Sequence, residues 1–295
     1  MLGKTRQQSS VNIGKRFDID ERFDQRVGPP RGVLHRPAPA GRFSHSRISP
    51  PPDLALWVAH CWMVSWELEG PQPHVQETLP HPNFHLVFEN GAATVSGVHT
   101  GRYTRTLEGR SFAFGVKFTP GGFRPFLNRA ASTLANKTVP ASQIFGTEIN
   151  GIQCTASTED ERTQAACAFL LARKPEPDPA VAHINQIVES ILRTPDLKTV
   201  DDLCAHTKIG KRTLQRLFNE YVGATPKWVI RRYRLHELVE RCHSGEKLDY
   251  AQLALDLGYF DQAHLINDFR SIVGFSPTRY QQLARAAKPA AKRRP

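Results

Sequence analysis

Thr199-Val-Asp-Asp-Leu-Cys-Ala-His-Thr-Lys-Ile-Gly-Lys-Arg-Thr-Leu-Gln-Arg-Leu-Phe218 decides the fold, together with Tyr250-Ala-Gln-Leu-Ala-Leu-Asp-Leu-Gly-Tyr-Phe-Asp-Gln-Ala-His-Leu-Ile-Asn-Asp-Phe269 further along. Each stretch predicts a short helix, a tight turn and a second helix that opens on polar residues. That layout, the helix-turn-helix, presents its second helix to the major groove of DNA. In the first unit Thr199 can cap a helix whose first turn carries Asp201 and Asp202, Leu203 and Ile209 face a core, and Gly210 breaks the turn. The reading helix then runs from Lys211 to about Tyr221. Leu214, Leu217 and Phe218 point inward, which leaves Lys211, Arg212, Gln215 and Arg216 outside as base-contact candidates. Arg and Gln suit guanine and adenine edges respectively.

In the second unit Leu253, Ala254 and Leu257 pack the first helix, Gly258 makes the turn and Asp261 can cap the reading helix. Leu265 and Phe269 face in, so Gln262, Ala263, His264 and Asn267 form its outer surface. Pro226 opens a helix between the units that can run to about His243, with Trp228, Ile230, Tyr233 and Leu238 as apolar positions. Lys227, Arg231, Arg232 and the later Arg279 are the phosphate-contact candidates, and Arg234 adds to the same basic cluster.

Outward from this pair, a helix from about Ala180 to Arg193 carries Val181, Ile184, Ile187, Val188 and Ile191 at helical spacing. Before it, Lys174-Pro-Glu-Pro-Asp-Pro179 cannot continue a helix and reads as a semi-rigid linker. A helix capped by Ser157 or Thr158 precedes the linker. Further upstream the pattern is β. Trp62, Val64, Trp66 and Leu68 alternate, Phe84 to Phe88 is a strand, Glu89-Asn90-Gly91 is a hairpin turn with Ala93 to Gly97 as the return, and Phe112, Phe114, Val116 and Phe118 alternate. Asp53 can cap a short helix to Ala59, and Phe123 to Arg129 reads as another. Short strands separated by turns predict a small barrel or sandwich, the kind of shell that can hold one small ligand. Trp62, Trp66, His85, Phe114 and Phe118 are its pocket candidates, against the plainer reading that they are core.

The expected architecture is α+β. Residues 1–48 are a disordered basic arm, 49–175 a β-rich sensing or dimerisation domain with a C-terminal helix, 176–285 an all-α domain with two helix-turn-helix units, and 286–295 a basic tail. Charge follows the same division. The chain of 295 residues has a net charge of +11. Residues 1–48 hold 10 Lys and Arg against 4 Asp and Glu, residues 49–194 hold 11 against 13, and residues 195–295 hold 18 against 11. A near-neutral middle between basic ends fits a nucleic-acid-binding module joined to a region that does not bind nucleic acid.

Other classes lose ground on composition. The longest apolar run, Leu54 to Trp66, includes His60 and Ser65 and is too short to cross a bilayer. No secretory h-region follows the basic N-terminus, so the expected location is cytoplasmic. The five cysteines, Cys61, Cys154, Cys167, Cys204 and Cys242, form no CxxC pair, which argues against a disulfide framework or a zinc cluster. No cofactor, metal or catalytic residue is expected. The competing enzyme readings are a metal site at His81, His85 and His99, and a methyl-accepting cysteine at Cys61.

By these residues the chain resembles the AraC family of transcriptional regulators. The resemblance is carried by Arg212-Thr-Leu-Gln-Arg-Leu-Phe218, Arg234-Leu235, Ala254-Leu-Asp-Leu-Gly-Tyr-Phe-Asp261, Phe269 and Gly274-Phe-Ser-Pro277. It implies seven helices, with a long helix setting the two reading helices about 34 Å apart on one face of DNA. Two positions depart from the pattern: Lys208 stands where the family commonly has Gly, and Gly210 where a capping Ser is usual. The region from about Pro50 to Gly146 is similar to the N-terminal domain of one subset of these regulators, through Leu79-Pro80, His85-Leu-Val-Phe88, Gly97 and Gly115-Val-Lys-Phe-Thr-Pro-Gly121. Double-stranded DNA is the expected partner, with RNA polymerase, a small-molecule effector and a second copy of the chain as further expectations.

Overall fold

The β-rich half is built from strands that divide their side chains between two unlike faces. Ten strands are described: β1 Phe17–Phe23, β2 Val33–Leu34, β3 Gly41–Ile48, β4 Val58–Leu68, β5 His74–Thr78, β6 His85–Glu89, β7 Ala92–Ser96, β8 Tyr103–Leu107, β9 Arg110–Phe118 and β10 Thr138–Pro140. In this computed structural model the described residues are 17–23, 32–34, 41–152, 158–244 and 246–287. Seven strands form one sheet in the order β1-β3-β4-β9-β6-β7-β10, and β2-β5-β8 form a second. The sheets face each other at one end and do not close into a barrel.

Register decides which face each side chain takes. Cys61 pairs with Val116, Trp62 with Gly115 and Met63 with Phe114, while Leu86 pairs with Val116 and Phe88 with Phe114. Cys61, Leu86, Phe88, Phe114, Val116 and Phe118 therefore share the face that packs on the helices, and all are buried in the main core. Trp62, Val64 and Trp66 point the other way, toward the small sheet, where Trp66, Leu68, Leu107 and Ala113 form a minor core. The turn between β6 and β7 is tight because Asn90 and Gly91 both adopt positive φ, 48° and 77°, as a two-residue hairpin demands.

Two expectations for this half need correction. Gly41–Ile48, assigned to a disordered arm, is a strand that pairs with β4 from Gly41↔Leu68 to Ile48↔Cys61. Its Phe43, His45 and Arg47 alternate against Trp66, Val64 and Trp62, so cross-strand packing orders a segment whose own composition is polar. Asp53 lies in a single 3₁₀ turn, Pro52–Leu54, and not in a helix to Ala59, because β4 has begun by Val58. The rest of the arm outside 17–23, 32–34 and 41–48, and the tail from 288 on, fall outside the described residues.

The helices are α1 Arg124–Leu127, α2 Ser142–Phe145, α3 Glu159–Ala172, α4 Pro179–Arg193, α5 Val200–Thr207, α6 Lys211–Leu217, α7 Pro226–Ser244, α8 Tyr250–Asp256, α9 Gln262–Val273 and α10 Pro277–Ala287. Thr158 and Thr199 each close a capping box, with Glu161 and Asp202, and Asp178 caps α4 through Ala180 N. Each cap satisfies donors that would otherwise be orphaned at a helix start.

The linker does not separate two independent cores. The apolar stripe of α4, Val181, Ile184, Ile187, Val188 and Ile191, is buried in the same cluster as Phe118 and Phe123. α4 lies against the Pro120-Gly121-Gly122 turn so closely that a Cβ on Gly121 would sit 2.2 Å from Ile184 Cγ2. Asn185 staples the contact. Its Oδ1 accepts from Gly121 N at 2.8 Å, and its Nδ2 donates to Thr119 Oγ1 at 3.0 Å and Leu56 O at 3.1 Å.

Candidate DNA-reading surface

The two units present their predicted reading residues in unlike settings. In the first, Lys208 ends α5 in the left-handed region at φ 59°, a conformation that costs a side-chain-bearing residue about 1 kcal/mol. Gly210 stands at the N-cap of α6 and gives it no side-chain cap. α6 is regular only to Leu217, and Phe218–Val222 continues as a π turn, so the predicted helix to Tyr221 changes its hydrogen-bond pattern part-way. Arg212, Gln215 and Arg216 are exposed, and Lys211 Nζ reaches Asp201 Oδ1 at 3.1 Å.

In the second unit the turn falls on Gly258 at φ 71°, and Asp261 Oδ1 caps α9 by accepting from His264 N at 2.7 Å. Gln262, Ala263, His264 and Asn267 are exposed, as the pattern predicts. The His264 ring stands edge-on to Tyr259, centroids 5.2 Å apart. Beneath them Asp268 is only 5% exposed. It accepts from the Tyr259 hydroxyl at 2.8 Å and pairs with Arg231 on α7.

The phosphate-contact candidates separate. Lys227 and Arg279 are exposed. Arg231 is held by Asp268, and Arg234 donates to Gly258 O at 3.3 Å. Arg232 corrects the expectation outright. It is 1% exposed, stacks on Trp228 at 4.7 Å and donates to the carbonyls of Thr100 at 2.6 Å and Gly101 at 3.3 Å. Burial pushes its guanidinium down to about 10. This side chain locks the sheet half onto α7 and is not available to DNA.

That lock has further parts the sequence did not reveal. Trp228 Nε1 donates to Thr100 O at 3.1 Å, and Arg102 Nη1 donates to Val273 O, at the end of α9, at 2.9 Å. Arg124 pairs with Glu220 at 2.7 Å. The loop after β7 thus grips the helix that joins the two units. Phe260 was also missed. It is 88% exposed immediately before the cap of α9, and its only sequence signal is its place between Tyr259 and Asp261.

The five pocket candidates do not converge. Phe114 and Phe118 belong to the main core, whereas Trp62, Trp66 and His85 lie on the opposite face. The metal candidates are likewise spread apart. His81 stacks on His236 at 4.1 Å, His85 accepts from Trp62, and His99 meets Ser96. Cys61 is buried on the core face, where a hydrogen bond with Cys167 and then burial push its thiol up, away from a reactive thiolate.

These elements define two helix-turn-helix units packed against a β-rich region. Residues 203–283 match the family described as helix-turn-helix domain, and residues 46–140 match a domain of unknown function (DUF6597). No match is found among curated proteins. Similar solved structures include a transcriptional regulator with an AraC-type DNA-binding domain from Chromobacterium violaceum, at 18% identity over 35% of this chain and 96% of that one, with TM-score 0.30. ToxT from Vibrio cholerae O395 is 13% identical over 83% of this chain and 98% of its own, with TM-score 0.35. ToxT from strain SCE256 bound to an unsaturated fatty acid is 12% identical over 74% and 96%, with TM-score 0.33. At such scores the whole-chain superpositions are loose, and the assignment rests on the two helical units. The chain thus carries a helix-turn-helix domain over residues 203–283. Among the described residues, no helix is long and apolar enough to cross a membrane.

Proposed function

We propose that the two units read adjacent major-groove segments of a promoter, the first through Lys211, Arg212, Gln215 and Arg216 and the second through Gln262, Ala263, His264 and Asn267. The observation that carries this reading is that Arg212, Gln215 and Arg216 stand exposed on one helix face with no intramolecular hydrogen bond or ion pair among the described residues. Donors left open in this way are what base edges require. Lys227 and Arg279 hold phosphates, and Phe260 lies against the backbone or a thymine methyl beside the second helix.

The sheet half has a regulatory role in this proposal and no catalytic one. Through Arg232, Trp228 and Arg102 it holds the helix between the reading heads, so a small molecule bound in the sheets, or a second copy of the chain, can alter how the heads are presented to DNA and to RNA polymerase. Binding sites selected from random DNA test the reading. Arg216→Ala should weaken a selected site by about 1–3 kcal/mol and relax one base position. Gln262→Ala should weaken the same site less. Parent-like binding by both variants would refute the face assignment.

A further inference from the structure

The two reading faces offer DNA different chemistry. α6, Lys211–Leu217, carries three basic residues and no acid. Arg212 and Arg216 stand one helical turn apart on its exposed side, so both rise from one stripe. A turn advances about 5.4 Å, against about 3.4 Å per base pair of DNA, so the stripe addresses positions about one or two pairs apart. Guanine is the base whose major-groove edge gives a guanidinium two acceptors, O6 and N7. Lys211 Nζ meets Asp201, a pair between two exposed side chains that exchanges readily for another partner. Gln215 adds an exposed amide to the same face.

α9 is unlike it. From Asp256 to Phe269 the chain has no Lys or Arg, and Arg270 comes only in the last turn of the helix. Phe260, Gln262, Ala263 and Asn267 are exposed around its start. Asn267 lies one turn beyond Ala263, and the Gln262 and Asn267 amides have no hydrogen-bond partner among the described residues. An amide pairs with adenine N6 and N7. Ala263 and Phe260 have no polar side-chain atom, and the apolar group on a major-groove edge is the thymine methyl. The Phe260 ring is 88% exposed although the chain around it is held tightly. Tyr259 N donates to Ala254 O at 2.8 Å, the Tyr259 hydroxyl donates to Asp268, and Asp261 caps α9 through His264 N. A lone exposed Phe is ordinary on a protein surface. One fixed outward three residues before Ala263, at the mouth of a reading helix, is placed to cover a methyl group.

We infer that this chain selects a lopsided DNA site. The segment under α6 carries guanines about one to two base pairs apart for Arg212 and Arg216. The segment under α9 is A·T-rich, and its thymine methyls meet Phe260 and Ala263. The inference rests on the proposal above that both units enter the major groove. Such a site is not a palindrome, because the two faces of one chain do not match, and it fixes the direction in which the chain lies on DNA. The same arginines set on phosphates would carry no base preference, so site composition separates the two roles.

The test uses the full chain. Sites selected from random DNA should show two blocks about 10 base pairs apart, one with invariant guanines and one of A·T pairs. On the selected site, 7-deazaguanine in the first block should weaken binding about tenfold by removing N7. Arg216→Ala should be indifferent to that change at one guanine, which marks the block as the one under α6. Deoxyuridine for thymidine in the second block should weaken the parent about fourfold for each contacted methyl lost, with no effect at one of those thymines in Phe260→Ala. Both base changes are made in the DNA, so they read the parent protein whatever a variant does to folding. Two blocks of the same composition, or a parent indifferent to both analogues, overturns the lopsided site and leaves two-unit reading intact. An undiminished methyl effect at every thymine in Phe260→Ala overturns the placement of Phe260. A single block, or none, overturns two-unit reading and this inference with it.

Discussion

The two helix-turn-helix units share a layout and differ in what supports them. Leu203, Leu214, Phe218 and Val222 of the first are buried in the cluster that also holds Phe118 and Phe123 of the sheet half. Leu253, Leu265, Phe269 and Tyr280 of the second pack around Leu235 and Leu238 of α7, in a smaller cluster joined from the sheet half by Leu34 and Leu79. The first unit also has the weaker local signals, a strained Lys208 and an uncapped α6, while the second has Gly258 at its turn and a carboxylate cap. Tertiary packing can replace local propensity, and here it does so in the unit that carries Arg212, Gln215 and Arg216 on its exposed face. The unit less able to hold itself is the one the sheet half can influence most.

The sharpest way to break this contrast is to remove the internal anchor of the second unit. Asp268→Ala strands the Tyr259 hydroxyl and frees Arg231, and should cost about 3 kcal/mol, read as a loss of midpoint in thermal or urea unfolding. The first unit should keep its protection in hydrogen exchange, because its core lies elsewhere. Loss of protection in both units together would show that they are one cooperative block.

Acid should act in the opposite sense. Burial, then Lys117 and Arg47, hold His60 down to about 2 and His85 down to about 3. Both lie below the ordinary value of 6.5, so the unfolded chain binds these protons first. Their contribution is complete above pH 6.5 and falls by up to about 1.4 kcal/mol per pH unit for each imidazole as pH drops toward the folded values. The sheet half and the first unit should therefore lose exchange protection before the second. A stability flat between pH 6.5 and 4.5 would contradict the values near 2 and 3.

Two substitutions in the first unit should remove its local deficit. Lys208→Gly relieves the left-handed residue and should stabilise by about 0.5–1 kcal/mol, visible as a rise in midpoint of a few degrees. Gly210→Ser adds the missing cap. No atom lies within 4 Å of a Cβ built there, so the side chain fits, and the gain should be a few tenths of a kcal/mol. A loss in either case would mean that the turn is shaped by the sheet half and not by its own residues.

The helical half was legible because its signals are local. Thr199 and Asp261 cap where the pattern placed them, and Leu214, Leu265 and Phe269 are buried at the predicted positions. The Asn90-Gly91 hairpin was legible for the same reason. What stayed hidden depends on partners distant in sequence. Arg232 looks like any outward basic residue until the loop at Thr100 meets it. Trp62 and Phe114 alternate equally well, and only the register Trp62↔Gly115 reveals that they face apart. Gly41–Ile48 carries few apolar residues and becomes a strand through what β4 offers it.

Asn185 and the Gly121 turn limit how freely this chain can be cut and recombined. An engineer who excised residues 176–285, or grafted them onto another sensor, would slice through the layer where Ile184 meets Gly121 and would leave Phe218 and Val222 facing solvent. The graft junction should instead follow the packing, carrying β9 and the turn after it along with the helices. In this chain the natural unit of exchange is larger than the helix-turn-helix region.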